Sequence, residues 1–165
     1  MSDSVKVRPA AAEDDAALVD VEKTSWTSAE GFPSLREPDR TSFIDDDRNR
    51  LDVLFVAELD GEVVGYIRLA PLAEVDECAH VLNVPGLAVA PRARGRGVAA
   101  AMLAFAEGLG RSRGARKIQL GVFSTNAGAV RVYERAGFEV EGRLRDQYRI
   151  DGEYVDAIVM AKHLG

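Results

Sequence analysis

The residues with the clearest chemical potential stand together in APRARGRGVAA, residues 90–100. Arg92, Arg94 and Arg96 alternate with Ala93 and Gly95, Gly97 closes the run, and small apolar residues, Val98 and Ala99 first, follow at once. The whole chain has a formal charge of −6, so composition gives no general reason for a basic, glycine-rich knot. Its chemistry is that of an anion site. N–H groups in the first turn of a helix have no partner inside the helix, and the helix dipole adds positive potential there. Gly95 and Gly97 have no side chain, so those N–H groups can be approached closely. The arginines add charge and forked donors suited to phosphate. Two phosphate motifs do not fit. A P-loop ends in Gly-Lys-Ser/Thr, which is absent. A dinucleotide fingerprint would place a third glycine at Ala100 and an acid near the end of the next strand, here Phe123.

Such a site needs a strand before the turn and a helix after it, and the flanking patterns supply both. Residues 80–89, HVLNVPGLAV, predict a buried strand interrupted at Pro85-Gly86. Proline removes a ladder donor and glycine permits unusual dihedrals, so the pair predicts a bulge or a splayed strand. Residues 97–114 predict an alanine- and leucine-rich helix stopped near Gly114. Elsewhere, residues 5–10 predict a short strand, and residues 12–26 a helix with acids in its first turn. A second, weaker helix is expected around residues 39–50. Asp60-Gly61 and Asp151-Gly152 each join two apolar runs, the signal of a tight hairpin. Residues 116–123 predict a strand, and residues 124–138 a helix with Asn126 as a cap and Gly137 as its stop. The order is β-α-α-β-β-β-α-β-α-β-β: one α/β domain over residues 1–165, with a mixed sheet.

Length and composition agree. At 165 residues, with 47% hydrophobic and 29% charged residues, the chain fits a globular domain. Charge is uneven. Residues 1–86 hold 8 Lys and Arg against 19 Asp and Glu; residues 87–165 hold 13 against 8. The basic part suits an anion, and the acidic part suits a cation, an amine or plain water. One cysteine, Cys78, and two scattered histidines give no metal spacing, so no metal is expected. No apolar run approaches a membrane span, and the first ten residues lack a basic segment followed by an apolar run. A cytoplasmic protein without membrane association is expected. Three arginines in one turn are thin support for nucleic-acid binding against a net charge of −6.

LAVAPRARGRGVAAAMLAFAE resembles the acyl-CoA signature of the GCN5-related N-acetyltransferase (GNAT) superfamily, Gln/Arg-x-x-Gly-x-Gly/Ala, which Arg92 to Gly97 match. NAGAVRVYERAGFEVEG resembles the superfamily's second hallmark, an Asn-capped helix with a tyrosine and a Gly-Phe end. The C-terminal stretch is similar to the bacterial L-amino-acid N-acyltransferase branch. The resemblance implies a central, mostly antiparallel mixed sheet of six to seven strands, with a splayed central strand and about four flanking helices. It also implies acetyl-CoA as co-substrate, its pyrophosphate held at Arg92, Arg94, Gly95, Arg96, Gly97, Val98 and Ala99. The pantetheine arm then lies along Leu87, Ala88 and Val89, pairing as an added strand would. The implied reaction is direct attack by the primary amine of a small molecule, such as an amino acid or an analogue, in a ternary complex.

Acyl transfer from a thioester needs a neutral amine, a stabilised oxyanion and a proton donor for the departing thiolate. The resemblance gives the thioester carbonyl to the N–H of Leu87 and the proton to Tyr133, seven residues beyond Asn126 on one helix face. Asn126 serves the pantetheine amides, its own helix cap, or both. The base is open. Relatives that acetylate peptide N-termini often have a glutamate five residues before the motif asparagine, where this chain has Gly121. Glu77, His80 and a water chain are the alternatives. Trp26 and Phe32 either wall a pocket or belong to the core, and Arg68 or Arg149 suits a substrate carboxylate. Competing functions are acetylation of a protein N-terminus or lysine, and acyl-CoA sensing without turnover. A homodimer through the apolar last strand, residues 157–164, is a further expectation.

Overall fold

The computed structural model describes residues 4–28 and 30–165; Met1, Ser2, Asp3 and Ala29 lie outside the described residues. The strands are β1 (Val5–Pro9), β2 (Leu54–Leu59), β3 (Glu62–Pro71), β4 (Val81–Val89), β5 (Lys117–Phe123), β6 (Glu139–Ile150) and β7 (Glu153–His163). The α-helices among the described residues are α1 (Asp15–Ser25), α2 (Val98–Ser112) and α3 (Ala127–Arg135). The sheet runs β1-β2-β3-β4-β5-β7-β6; the β1–β2, β2–β3, β5–β7 and β7–β6 pairs are antiparallel and the β4–β5 pair is parallel. This is the expected mixed α/β fold, with seven strands.

The chain forms two compact units. One comprises the described residues up to Ser25, with Glu37–Ala70 and Pro85–Ala106. In it, α1 turns Leu18 and Val21, one helical turn apart, into a core with Phe43, Leu54, Val56, Tyr66 and Ala90. The β2–β3 hairpin closes through Asp60 (φ 54°) and Gly61 (φ 80°), the two positive φ angles of a primed turn. A bulge opposite Ala57/Glu58 displaces β3 at Val64, whose carbonyl accepts the N–H of Ala90 at 2.7 Å.

The helix expected around residues 39–50 does not form. Asp15 Oδ1 accepts the N–H groups of Phe43 (2.9 Å) and Ile44 (2.7 Å). Asp45 Oδ1 accepts those of Asp47 (2.9 Å) and Asn49 (2.8 Å). Short carboxylates compete for the N–H groups that a helix ladder would use. Phe43 is held in the core by this loop at 2% exposure.

The other unit comprises Trp26–Arg36, Pro71–Val84 and Glu107–Gly165. Here β4 pairs with β5 from Val81↔Lys117 to Val84↔Leu120. β7 pairs on one side with β5 and on the other with β6. The apolar run at residues 157–164 thus has an explanation inside the protein, apart from any interface. Both edges of β7 are paired, and Ala157, Ile158, Met160, Ala161 and Leu164 are buried. Their apolarity is accounted for by the interior. The second hairpin turns on Asp151 (φ 51°) and Gly152 (φ 84°), as the Asp-Gly signal predicts.

Candidate active site

The arginine knot is an exposed loop pinned at two points. Pro91–Ala93 make one 3₁₀ turn, Ala93 and Val98 are buried, and residues 94–97 between them are exposed. Gly95 (φ 74°) and Gly97 (φ 80°) both adopt the left-handed conformation. A methyl group at either would meet open space, so the requirement for glycine there is conformational and not steric. Helix α2 begins directly afterwards, with Gly97 O accepting the N–H of Ala101 at 3.0 Å. The N–H groups of the first turn therefore point out of the helix end. The N–H of Arg94 donates to Pro91 O at 3.3 Å, so the set of outward donors begins at Gly95. Each arginine side chain has a neighbour to meet within the same unit. Arg92 meets Glu62 (3.2 Å), Arg96 meets Asp60 (3.6 Å), and Arg94 Nη2 donates to Ser25 O (3.5 Å). The carboxylates of Glu62 and Asp60 are exposed, so these ion pairs hold the arginines only weakly.

The second half of β4 reaches this loop. Its burial changes at Pro85: the strand before it is mostly buried, whereas Leu87, Ala88 and Val89 are half-exposed. The register with β5 runs to Val84, and Pro85 has no N–H to continue it. Two glycines let backbone and side chain pass closely. A Cβ on Gly65 of β3 would stand 2.8 Å from the Ala88 carbonyl oxygen, with Met102 and Val98 of α2 at 3.3 and 3.4 Å. A Cβ on Gly86 would stand 2.2 Å from Nη2 of Arg68.

Arg68 itself is 9% exposed. Its Nη1 donates to Asn49 Oδ1 at 3.3 Å, while Nε is buried and has no partner. An unsatisfied buried donor costs about 1–3 kcal/mol. Burial is the largest influence on the guanidinium and draws its pKa below the usual value; the negative charge of Glu22 and Asp45 acts in the opposite sense. Beside it, Tyr66 donates its hydroxyl to Glu22 Oε2 at 2.6 Å, and its phenol is raised well above the ordinary value by burial and by that carboxylate.

In the other unit, α3 explains its own hallmark residues. Asn126 caps the helix, its Oδ1 accepting the N–H of Ala129 at 3.1 Å. At the far end, Phe138 N–H donates to Tyr133 O and Gly137 N–H to Glu134 O, both at 3.0 Å. Gly137 has φ 95°. These are the two hydrogen bonds of a Schellman motif, and the Tyr133–Phe138 ring contact, 6.1 Å between centroids, is its hydrophobic pair. Tyr-x-x-x-Gly-Phe is thus a helix terminator that fixes the backbone and ring of Tyr133. Burial first, and then the charge of Glu30, push its phenol up to about 12.

The remaining sequence candidates are less enclosed. Glu77 lies in a 3₁₀ turn and His80 just before β4, both exposed. His80 stands ahead of the first residue of β4, whereas Leu87–Val89 are its last three. Arg149 is exposed, with its guanidinium 6.0 Å from the Tyr154 ring. Trp26 is half-buried under the Arg36 guanidinium at 4.7 Å, with Gly31 against its indole nitrogen. Phe32 joins Phe123 and Tyr148 in an aromatic trio with centroids 5.0–5.3 Å apart. Sequence patterns give no hint of that trio, whose members are 91 and 25 residues apart, nor of the Glu22–Tyr66 bond. The only sequence cue to the Arg68–Gly86 contact is the glycine after Pro85.

The acetyltransferase (GNAT) family model matches residues 16–138. L-amino acid N-acetyltransferase AaaT of Escherichia coli K12 is 37% identical over 108 residues, 65% of this chain and 65% of that protein. Spermidine N(1)-acetyltransferase of the same strain is 34% identical over 108 residues, 64% of this chain and 55% of that protein. The matched stretch thus spans less than two thirds of either relative. Among solved structures, yncA from Salmonella typhimurium, determined with its cofactor acetyl-CoA, has a TM-score of 0.78 at 23% identity, covering 98% of this chain and 95% of that one. That likeness is one of fold. Among the described residues no helix is long and apolar enough to cross a membrane.

Proposed function

The chain belongs to the acetyltransferase (GNAT) family, and from that membership we propose that it transfers an acetyl group from acetyl-CoA to the primary amine of a small molecule, an amino acid or an amino-acid analogue. The observation behind this reading is the cradle at residues 91–98: two left-handed glycines, an exposed turn and a helix that opens at Val98. N–H groups from Gly95 to Ala99 take the pyrophosphate, and Arg92, Arg94 and Arg96 add charge around it. The half-exposed backbone of Leu87, Ala88 and Val89 takes the pantetheine amides as a strand edge takes another strand. The Asn126 side-chain oxygen is already engaged as a cap, and its amide nitrogen takes the pantetheine role that the family resemblance gives it. Acetyl-CoA supplies an activated acyl carbon.

The acceptor nitrogen bonds to that carbon as the carbon–sulfur bond breaks, and the N–H of Leu87 stabilises the oxygen that gains charge. The family resemblance assigns Tyr133 to the departing sulfur. With its phenol at about 12 and a thiol near 8.5, complete proton transfer is uphill by about 5 kcal/mol. Tyr133 therefore acts as a hydrogen-bond donor to the thiolate. The proton released by the nitrogen reaches sulfur or solvent through water. An α-amino group has a pKa near 8 and a usable neutral fraction at pH 7, so exposed Glu77 and His80 are not required as bases.

The test is release of CoA thiol from acetyl-CoA in the presence of free amino acids, polyamines or short peptides. Release that depends on the amino-acid pool, and falls in Tyr133→Phe, supports the proposal. Release with peptides alone moves the function to protein acetylation. Tight acetyl-CoA binding with no release from any pool makes the chain a sensor.

A further inference from the structure

Among the described residues, the buried side-chain nitrogen left without a partner is Nε of Arg68. Its position is specific. The guanidinium packs on Gly86, the residue before Leu87, and a Cβ there would collide with Nη2 at 2.2 Å and with Nε and Cζ at 2.8 Å. The Nε–H and one Nη2–H of an arginine point the same way and form the fork that receives two carboxylate oxygens. Nη1, on the other side of the group, is the nitrogen that Asn49 occupies. The unmade donor, Nε–H, thus lies on the edge that an arginine offers to a carboxylate.

The protein's own carboxylates nearby are committed elsewhere. Glu22 accepts from Tyr66, and Asp45 accepts the N–H groups of Asp47 and Asn49. Asn49 is neutral, and Arg48 adds a second positive charge within electrostatic range. A cation so enclosed, with no carboxylate hydrogen-bonded to it and its Nε–H unmade, is poorly explained as a structural ion pair.

We propose that Arg68 binds the α-carboxylate of the acceptor, which makes the acceptor an α-amino acid. The placement of the amine rests on the acyl-transfer reading, in which Leu87 N–H faces the thioester. Gly86 and Leu87 are consecutive, and the α-nitrogen of an amino acid is two bonds from its carboxyl carbon. A carboxylate held at Gly86 therefore presents an α-amine, and not a remote side-chain amine, beside Leu87. Peptide N-termini and polyamines have no α-carboxylate next to the reacting amine and leave the fork empty.

The test uses the whole chain with CoA present and a panel of the L-amino acids, each paired with its α-amide. Thermal stabilisation reports binding without needing turnover. At least one amino acid raises Tm by about 3 °C or more at ten times its Kd, its amide does not, and the shift is absent in Arg68→Met. Arg68→Lys, which keeps charge but not the fork, recovers little of it. Gly86→Ala, which displaces the guanidinium without removing it, loses the shift as well and covers the case in which Arg68→Met fails to fold. In turnover, the acid-over-amide ratio of kcat/KM falls from about 10²-fold toward one in Arg68→Met. Equal stabilisation by acids and amides, no stabilisation by any acid, or a carboxylate-dependent shift that survives Arg68→Met overturns the proposal. An Arg68-dependent carboxylate shift without acetylation of any amine upholds the Arg68 site and refutes the acyl-transfer reading instead.

Discussion

The same substitution, glycine to alanine, is expected to have opposite effects at Gly65 and Gly108. At Gly65 the new methyl would lie 2.8 Å from the Ala88 carbonyl oxygen, a backbone atom that cannot rotate away, and 3.3–3.4 Å from Met102 and Val98. An ordinary carbon–oxygen contact needs several tenths of an ångström more, so β3 and the second half of β4 must separate. Overpacking of this kind costs about 1–3 kcal/mol, partly offset by roughly 0.4–1 kcal/mol from the stiffer unfolded chain. At 165 residues, 1 kcal/mol moves Tm by about 2–4 °C. The net cost of up to about 2.6 kcal/mol predicts a fall of up to roughly 10 °C. Gly108 lies inside α2, exposed, with nothing within 4 Å of its would-be Cβ. There the gain in helix propensity is about 1 kcal/mol, a rise of about 2–4 °C. Calorimetry or denaturant unfolding reads both. Gly65→Ala should also raise KM for acetyl-CoA, because Ala88 is a proposed pantetheine position. A Gly65→Ala protein that melts at or above the wild type would refute the close β3–β4 crossing. Stability loss with unchanged KM would remove Ala88 from the binding surface.

Tyr133→Phe should lower kcat by about 10²-fold with little change in Tm. Because the phenol is pushed up to about 12, the wild-type kcat profile should show no basic limb from this group below about pH 11. Gly97→Ala places a Cβ on a φ of 80° and should cost about 1 kcal/mol of stability, while weakening acetyl-CoA by about tenfold as the first-turn N–H groups re-aim. Asp14 is nearly buried and takes two hydrogen bonds from Arg8, at 2.8 Å each, which hold its carboxyl below the usual range. A depressed carboxylate stabilises the fold above the unfolded pKa, near 3.9, and that stabilisation is lost as pH falls through the folded value. Arg8→Met should therefore cost roughly 1–3 kcal/mol at pH 7 and begin its acid unfolding at higher pH than the wild type, measured by urea melts between pH 3 and 7. An unchanged acid profile would refute the pairing.

Sequence alone determined the features that arise within a few residues. Asp60-Gly61 and Asp151-Gly152 set their hairpins because positive φ angles are a local property of those pairs. Asn126 and Gly137 bounded α3 by capping, and Gly95 and Gly97 set the turn before α2 for the same reason. The candidate phosphate cradle was therefore legible, as was the helix that bears Tyr133. Tertiary structure decided what depends on neighbours distant in the chain. The helix expected at residues 39–50 was lost to the carboxylate of Asp15, which lies 28 residues before Phe43. The apolarity of Ala157, Ile158, Met160 and Ala161 proved to serve the interior, because β5 and β6 flank that part of β7 on both sides. Arg68 and Arg149 looked alike as letters. Folding buried one against Gly86 with an unmet donor and left the other exposed, because desolvation and hydrogen-bond satisfaction are sums over everything packed around a group, and spacing along the chain does not encode them.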